Sequence, residues 1–310
     1  MPKIVFLDAA TLTDLPDFDR FRGLGEFTAY DRSAPAEVEP RLAGAQVAIT
    51  NKVPFPAERI AALPDLRLIC VAATGTNHID AAAATARGIP VRNVAGYSTN
   101  SVAQYTLTAL LSLATDLHHL NDFVHSGAYA RQPDFSAWRR PYYELRGKTF
   151  GIVGLGTIGR AVADLAVAYG ARVVYHSISG EPKDVPYPAL PLGELLAESD
   201  VVSLHCALSD QTRGLLTYDE LRRMRPTAYL VNAARGGVVD EGDLARALDA
   251  GLLAGAVVDV FSAEPPPPDH PYLRLTRPER LLLTPHVAWA SVEARTALLR
   301  GIRDNIAAGW

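Results

Sequence analysis

Cysteine is scarce: two in 310 residues, and Cys70 and Cys206 both lie inside apolar, strand-like runs. Buried reduced thiols are therefore expected, and a disulfide framework or a cysteine-built metal site is not. No apolar run approaches the roughly 18 residues of a membrane span. Met1-Pro2-Lys3 leads straight into Ile4-Val5-Phe6-Leu7, a run too short for the apolar region of a secretory signal. Neither charge dominates. A net charge of -4 and a pI near 6.1 give no electrostatic footprint for nucleic acid or an anionic membrane. Fixed-period repeats and low-complexity tracts are missing, and none of the eight histidines has metal-ligand spacing with supporting cysteines or acids. What remains is a globular chain, 48% hydrophobic and long enough for two domains, expected in a reducing cytoplasm.

Glycine, by contrast, is concentrated where it carries information. GIVGLGTIG, residues 151–159, follows a strand-like segment and opens an alanine-rich helical one that stops at Gly170. Gly154 permits a tight turn, Gly156 lets backbone approach a pyrophosphate, and Gly159 lets helix and strand pack closely. The free N–H groups of the helix start, beside Thr157 and Ile158, face the phosphates. A second strand, Ala171 to His176, comes after the helix, so the context is that of a dinucleotide site rather than of a structural turn.

Before this motif, apolar runs at Ile4–Leu7, Gln46–Thr50, Leu66–Ala72 and Pro90–Val94 alternate with helical patterns, which predicts a parallel sheet with helices on its faces. Thr99-Asn100-Ser101 caps a long apolar helix running through Leu117. An aromatic stretch follows, with Phe135, Trp138, Tyr142 and Tyr143, and reads as a dimer arm. After the motif, strands at 200–205, 228–232, 254–260 and 281–284 complete a doubly wound sheet. The helix from Ser291 to Ala308 has no strand after it and is expected to pack on the first domain. The domains expected are 1–98 with 285–310, and 99–284.

Three polar clusters fall at carboxyl ends of the later strands, where open α/β sheets bind ligands. Arg235 follows a buried strand into Gly236-Gly237, and its planar guanidinium suits a carboxylate or carbonyl oxygen. Asp259 and Glu264 close another strand. His286 lies just past the last one, able to donate and accept a proton near neutral pH, provided that Glu264 stands beside it. A hydride-carrying cofactor, a cation and a histidine together describe reversible oxidation of an alcohol next to a carboxylate.

With GLGTIG, NAARGGVVDE (232–241), DVFSAEP (259–265) and TPHVAW (284–289) in this order, the chain resembles the D-isomer-specific 2-hydroxyacid dehydrogenases over nearly its full length. That resemblance implies two Rossmann/flavodoxin-like domains with parallel sheets, the NAD(P)-binding one inserted in the substrate domain. It implies His286 as acid/base tuned by Glu264, Arg235 holding and polarising a 2-oxo acid, and Thr74, Gly75, Thr76 and Asn77 receiving the substrate carboxylate. Nicotinamide and ribose contacts are implied near Val102, Ala233 and Asp259, and adenine contacts near Cys206 and Thr212. VAATGTNHID (71–80) and NVAGYSTNSVAQYT (93–106) look most like the glycerate dehydrogenase/hydroxypyruvate reductase branch, with a small-molecule substrate and a homodimer. Glu264 disfavours the formate dehydrogenase branch, which carries glutamine there. The phosphoglycerate dehydrogenase branch and a dinucleotide-sensing, corepressor-like role on the same fold are the alternatives.

The sequence departs from the family's pattern in two places. NAD-specific members usually end the second strand with an acid for the ribose 2′-OH, and here the strand ends Tyr175-His176-Ser177-Ile178-Ser179. Neither an acid nor an arginine stands there, so weak discrimination is expected: NAD(H) comes first on the family's usage, and NADP(H) is possible, helped by Ser177, Ser179 and Lys183. Ala207 replaces the proline of the family's HCPL, with a small effect expected.

Overall fold

A computed structural model describes residues 1–181 and 183–310. The chain forms two compact units, Met1–Ser98 with Ala290–Trp310, and Thr99–Trp289. In the first, strands β1 (Lys3–Phe6), β2 (Glu26–Ala29), β3 (Val47–Thr50), β4 (Leu68–Val71) and β5 (Val91–Arg92) form a parallel sheet in the order β2-β1-β3-β4-β5. β3 and β4 are buried along their whole length, which is why they read as unbroken apolar runs. β2 was not legible in the sequence. It is an edge strand whose sequence, Glu-Phe-Thr-Ala, contains no apolar run, and Phe27 finds its partners in a ring cluster with Phe18 and Phe21. Helices α1 (Val38–Leu42), α2 (Ala57–Ala61) and α3 (Ala81–Ala86) connect the strands. The Asp80 side chain caps α3 by accepting from Ala83 N. The C-terminal helix, Val292–Ala307, packs on β4 within this unit.

The second unit is a six-stranded parallel sheet: β6 (Thr149–Val153), β7 (Arg172–His176), β8 (Val201–Leu204), β9 (Tyr229–Asn232), β10 (Gly255–Val258) and β11 (Leu281–Leu283), ordered β11-β10-β9-β8-β6-β7. Beyond β7, Ala189 makes a lone parallel bridge with Tyr175, the remnant of a seventh strand. Chain order reverses at β6, which makes the loop after it the switch point where doubly wound sheets bind ligands. Helices α4 (Thr99–Ala114), α5 (Leu117–His125), α6 (Thr157–Ala168), α7 (Leu192–Glu198), α8 (Tyr218–Leu221) and α9 (Glu241–Ala250) complete the unit. Strand alternation divides the core. Phe150 and Ile152 pack with α4 and α6, whereas Val153 packs with Leu195 and Leu196 of α7. Gly151 is required on that second face, because a Cβ there would lie 2.3 Å from Ser199 Oγ and 2.7 Å from the Leu195 side chain.

The long helix expected through Leu117 breaks at Asp116. That residue adopts φ 59°, and its carboxylate accepts from Arg139 Nε at 2.9 Å and Nη2 at 2.6 Å. α5, which starts there, has no buried residue. Residues 285–289, expected with the flanking domain, instead belong to the second unit. The reason is Asp259, which holds them onto the end of β10.

Candidate active site

Asp259 is buried, and its carboxylate accepts from Thr284 Oγ1 (2.6 Å), Val287 N (2.9 Å) and Ala288 N (2.9 Å). His286 N donates to the Asp259 carbonyl at 2.8 Å, and Trp289 Nε1 donates to the His286 carbonyl at 2.9 Å. A turn wound this tightly places His286 at φ 55°, in the left-handed region that costs an L residue about 1 kcal/mol. Three hydrogen bonds to one buried carboxylate hold it there.

The turn aims the imidazole at Glu264. Nδ1 lies 2.7 Å and 2.9 Å from the two carboxylate oxygens, so Nδ1–H is the donor and Nε2 is left to exchange a proton. Phe261 N donates to Glu264 Oε1 at 3.0 Å, so the carboxylate is anchored from its own loop as well. The Arg235 turn follows β9. Asn232 shapes it, donating from Nδ2 to the Arg235 carbonyl at 3.1 Å and accepting from Ala234 N at 3.2 Å. Arg235 Nη1 donates to the Ala234 carbonyl, which orients the guanidinium. Gly236 allows this turn to lie against the Glu264 loop, since a Cβ there would come within 2.0–2.4 Å of the Phe261–Ser262 peptide. Arg235, Glu264 and His286 thus arise from three adjacent strand ends of one sheet.

The glycine motif builds the second part of the site. Gly156 starts α6 with no side-chain cap and open space over it, and Gly154 has φ +92°. A Cβ on Gly159 would lie 2.4 Å from the Gly154 carbonyl, so helix and loop touch backbone to backbone. The cavity in front, about 600 Å³, is lined by Gly154, Gly156, Thr157, Ser177, Cys206 and Thr212 of the expected cofactor residues. Thr212 is fixed by donating Oγ1–H to the Ala207 carbonyl at 2.6 Å. Ile158, Gly159, Val102, Ala233 and Asp259 do not line it. Arg160 does, and sequence reasoning passed it over. Its signal was available, since residue 160 lies three after Thr157 and shares its helix face. Arg160 and Lys183 are the charged residues of the lining, and no carboxylate is among them. Free helix N–H groups, a glycine cradle and two cations fit the phosphates of a dinucleotide. Thr74, Gly75, Thr76 and Asn77 lie in the first unit, where Asn93 Nδ2 donates to the Thr74 carbonyl at 2.6 Å.

His205 also borders the cavity, but its ring is sunk. Nδ1 is buried with no partner among the described residues, Nε2 is 2.8 Å from Ser203 Oγ, and burial lowers its pKa to about 4. The unfolded chain binds this proton more readily than the folded one does. The stability contributed by neutral His205 is therefore complete above about pH 6.5 and is lost as the pH falls toward 4, with a slope of up to about 1.4 kcal/mol per pH unit. Thermal melts between pH 7 and 4.5 should show a smaller loss for His205→Gln than for the parent; equal losses would remove His205 as the source.

Among the described residues, no helix is long and apolar enough to cross a membrane, and no cluster of His, Cys, Asp or Glu is arranged for a metal. Residues 107–288 match the family model described as the D-isomer specific 2-hydroxyacid dehydrogenase, NAD binding domain. A hydroxypyruvate reductase of Blautia hydrogenotrophica is 37% identical, with 98% of this chain and 95% of that protein aligned. A glycerate dehydrogenase of Methylorubrum extorquens is also 37% identical, over 99% of this chain and 95% of that one. Among solved structures, an NADPH-dependent glyoxylate/hydroxypyruvate reductase of Sinorhizobium meliloti in complex with NADP and malonate superposes with a TM-score of 0.84 at 28% identity, covering 99% of this chain and 93% of that one. The protein belongs to the D-isomer specific 2-hydroxyacid dehydrogenase family, whose members are NAD(P)-dependent oxidoreductases.

Proposed function

We propose that the protein reversibly reduces a small 2-oxo acid of the glyoxylate or hydroxypyruvate type to the D-2-hydroxy acid. The observation that carries this reading is the 2.7 Å contact between His286 Nδ1 and Glu264 in the unit that also holds the glycine cavity and the Arg235 turn. NAD(P)H, when bound, supplies the hydride. Nε2 of His286 delivers the proton to the 2-oxo oxygen in reduction and removes it in oxidation, while Glu264 steadies the imidazolium. Arg235 holds the carboxylate and 2-oxo oxygen by parallel hydrogen bonds, stabilising negative charge as it develops. Thr74, Gly75, Thr76 and Asn77 receive the carboxylate, and Val102, Ala233 and Asp259 belong to the nicotinamide end.

Exposed Phe135, Trp138, Tyr142 and Tyr143 supply the surface of a homodimer, which sedimentation would reveal. The setting is cytoplasmic. The test of the activity is oxidation of NADH and NADPH with glyoxylate, hydroxypyruvate and pyruvate. Turnover with one of them supports the reading; tight dinucleotide binding without turnover on any would replace it with a sensor.

The cavity also sets an expectation for cofactor choice. With no acid in its lining to repel a 2′-phosphate, and with Ser177, Ser179, Lys183 and Arg160 around it, kcat/KM for NADH and NADPH should lie within about a hundredfold, a difference below about 2.7 kcal/mol. A wider gap in either direction defeats this tolerance, and fluorescence titration of each dinucleotide gives the comparison without turnover.

A further inference from the structure

Outside the residues already given roles, one buried histidine–carboxylate pair stands out in the same unit. Glu241, the first residue of α9, accepts from His270 Nε2 at 3.0 Å through Oε2 and from Ser262 N at 2.7 Å through Oε1. His270 is 5% exposed, and its Nδ1 accepts from Tyr272 N at 3.3 Å. Because a backbone N–H points at Nδ1, the ring proton resides on Nε2 and is donated to Glu241. The imidazole packs edge-on against Phe261, with centroids 5.5 Å apart, and lies 4.9 Å from the Tyr272 ring. Burial, and then the charge of Glu241 and Asp240, push the Tyr272 phenol well above its ordinary value.

The pair is tied to Phe261 and Ser262, the residues next to Glu264 in its loop, through the Ser262 N–H and the Phe261 ring. Phe261 N donates to Glu264, and in the next peptide Ser262 N is held by Glu241 while Gly236 of the Arg235 turn rests on it. We propose that Glu241 and His270 are a positioning pair that fixes the Phe261–Glu264 loop and, through it, the alignment of Glu264 with His286. The inference rests on His286 and Glu264 serving the reaction as described above. The pair touches neither substrate nor cofactor; it acts through the loop. Its logic is that of an outer layer of hydrogen bonds locking the rotamer of a group that must be placed to a fraction of an ångström.

The test compares three variants of the full-length protein. Glu241→Gln keeps the acceptor for Ser262 N but presents an amide N–H to the His270 donor. His270→Phe keeps the ring packing and loses the donor, and His270→Gln keeps a donor near the Nε2 position. Glu241→Gln and His270→Phe should lower kcat about tenfold and displace the pH profile of reduction from that of the parent, because a misaligned Glu264 steadies the imidazolium less. Dinucleotide affinity should stay within about twofold of the parent. His270→Gln should restore the parent profile. A parent-like profile in folded Glu241→Gln or His270→Phe overturns the proposal. So does a loss in all three variants that follows melting temperature rather than the presence of the donor. If the parent protein turns over no 2-oxo acid, the reductase reading fails first, and NMR titration of the His286 imidazole in the same variants then decides the pair by itself. A midpoint shifted in Glu241→Gln and restored in His270→Gln supports the pair, and an unmoved midpoint sinks it.

Discussion

His286→Ala should lower kcat about a thousandfold, within the range that general acid/base groups contribute, while leaving dinucleotide affinity close to that of the parent. The two effects separate because of sheet order. His286 follows β11, whereas the cavity residues follow β6, β7 and β8, and β11 lies four strand spacings from β6, roughly 19 Å at about 4.8 Å each. The turn should survive the substitution, since the bonds that wind it use Asp259 and backbone groups rather than the imidazole. Alanine in the left-handed region costs on the order of 1 kcal/mol, small beside the expected loss of turnover. His286→Asn is the companion variant. Asparagine tolerates positive φ, so it removes the imidazole with less backbone penalty. Both variants should bind NADH as judged by fluorescence and fail to oxidise it with a 2-oxo acid. Near-normal turnover in either one takes the acid/base role away from His286.

Much of this was legible because the chemistry sits where strand periodicity ends. Arg235, Glu264 and His286 each follow an apolar run, and parallel strands send their carboxyl ends to one edge. That Glu264 meets His286 was implied by the family resemblance but was not legible from spacing alone. The 22-residue separation closes only because β11 pairs in parallel beside β10, with Val258 opposite Leu283. Asp259 shows a different limit. The family resemblance implied a place near the nicotinamide, but nothing in the sequence announced that both carboxylate oxygens also hold the His286 turn, because side-chain contacts across 25 to 29 residues leave no periodic trace. β2 escaped notice because it is an edge strand with no fully buried residue and no apolar run, and the break at Asp116 because two arginines more than twenty residues away hold it. His270, unremarkable in a proline-rich stretch, acquires meaning only through Glu241.

Arg235→Ala should cost about a thousandfold in kcat/KM, on the order of 4 kcal/mol, with dinucleotide affinity unchanged. One guanidinium nitrogen is already committed to the Ala234 carbonyl at 2.7 Å, which fixes the plane of the fork. Nε and Nη2 make no hydrogen bond among the described residues and are free to take a carboxylate or a 2-oxo oxygen. A lysine keeps the charge but not the plane, so Arg235→Lys should recover less than a tenth of the lost kcat/KM. How the loss divides discriminates between roles. If Arg235 only captured the substrate carboxylate, KM would rise and kcat would hold; if it also stabilises charge on the 2-oxo oxygen, kcat falls as well. The turn argues for both, because Asn232 shapes it and Gly236 rests it against the loop that carries Glu264, so Arg235 leaves the sheet next to the loop holding the partner of His286. Steady-state kinetics on the two variants, with melting temperature as the folding control, carry the decision: an unchanged kcat/KM in folded Arg235→Ala would leave the substrate anion to another cation and detach Arg235 from the reaction altogether.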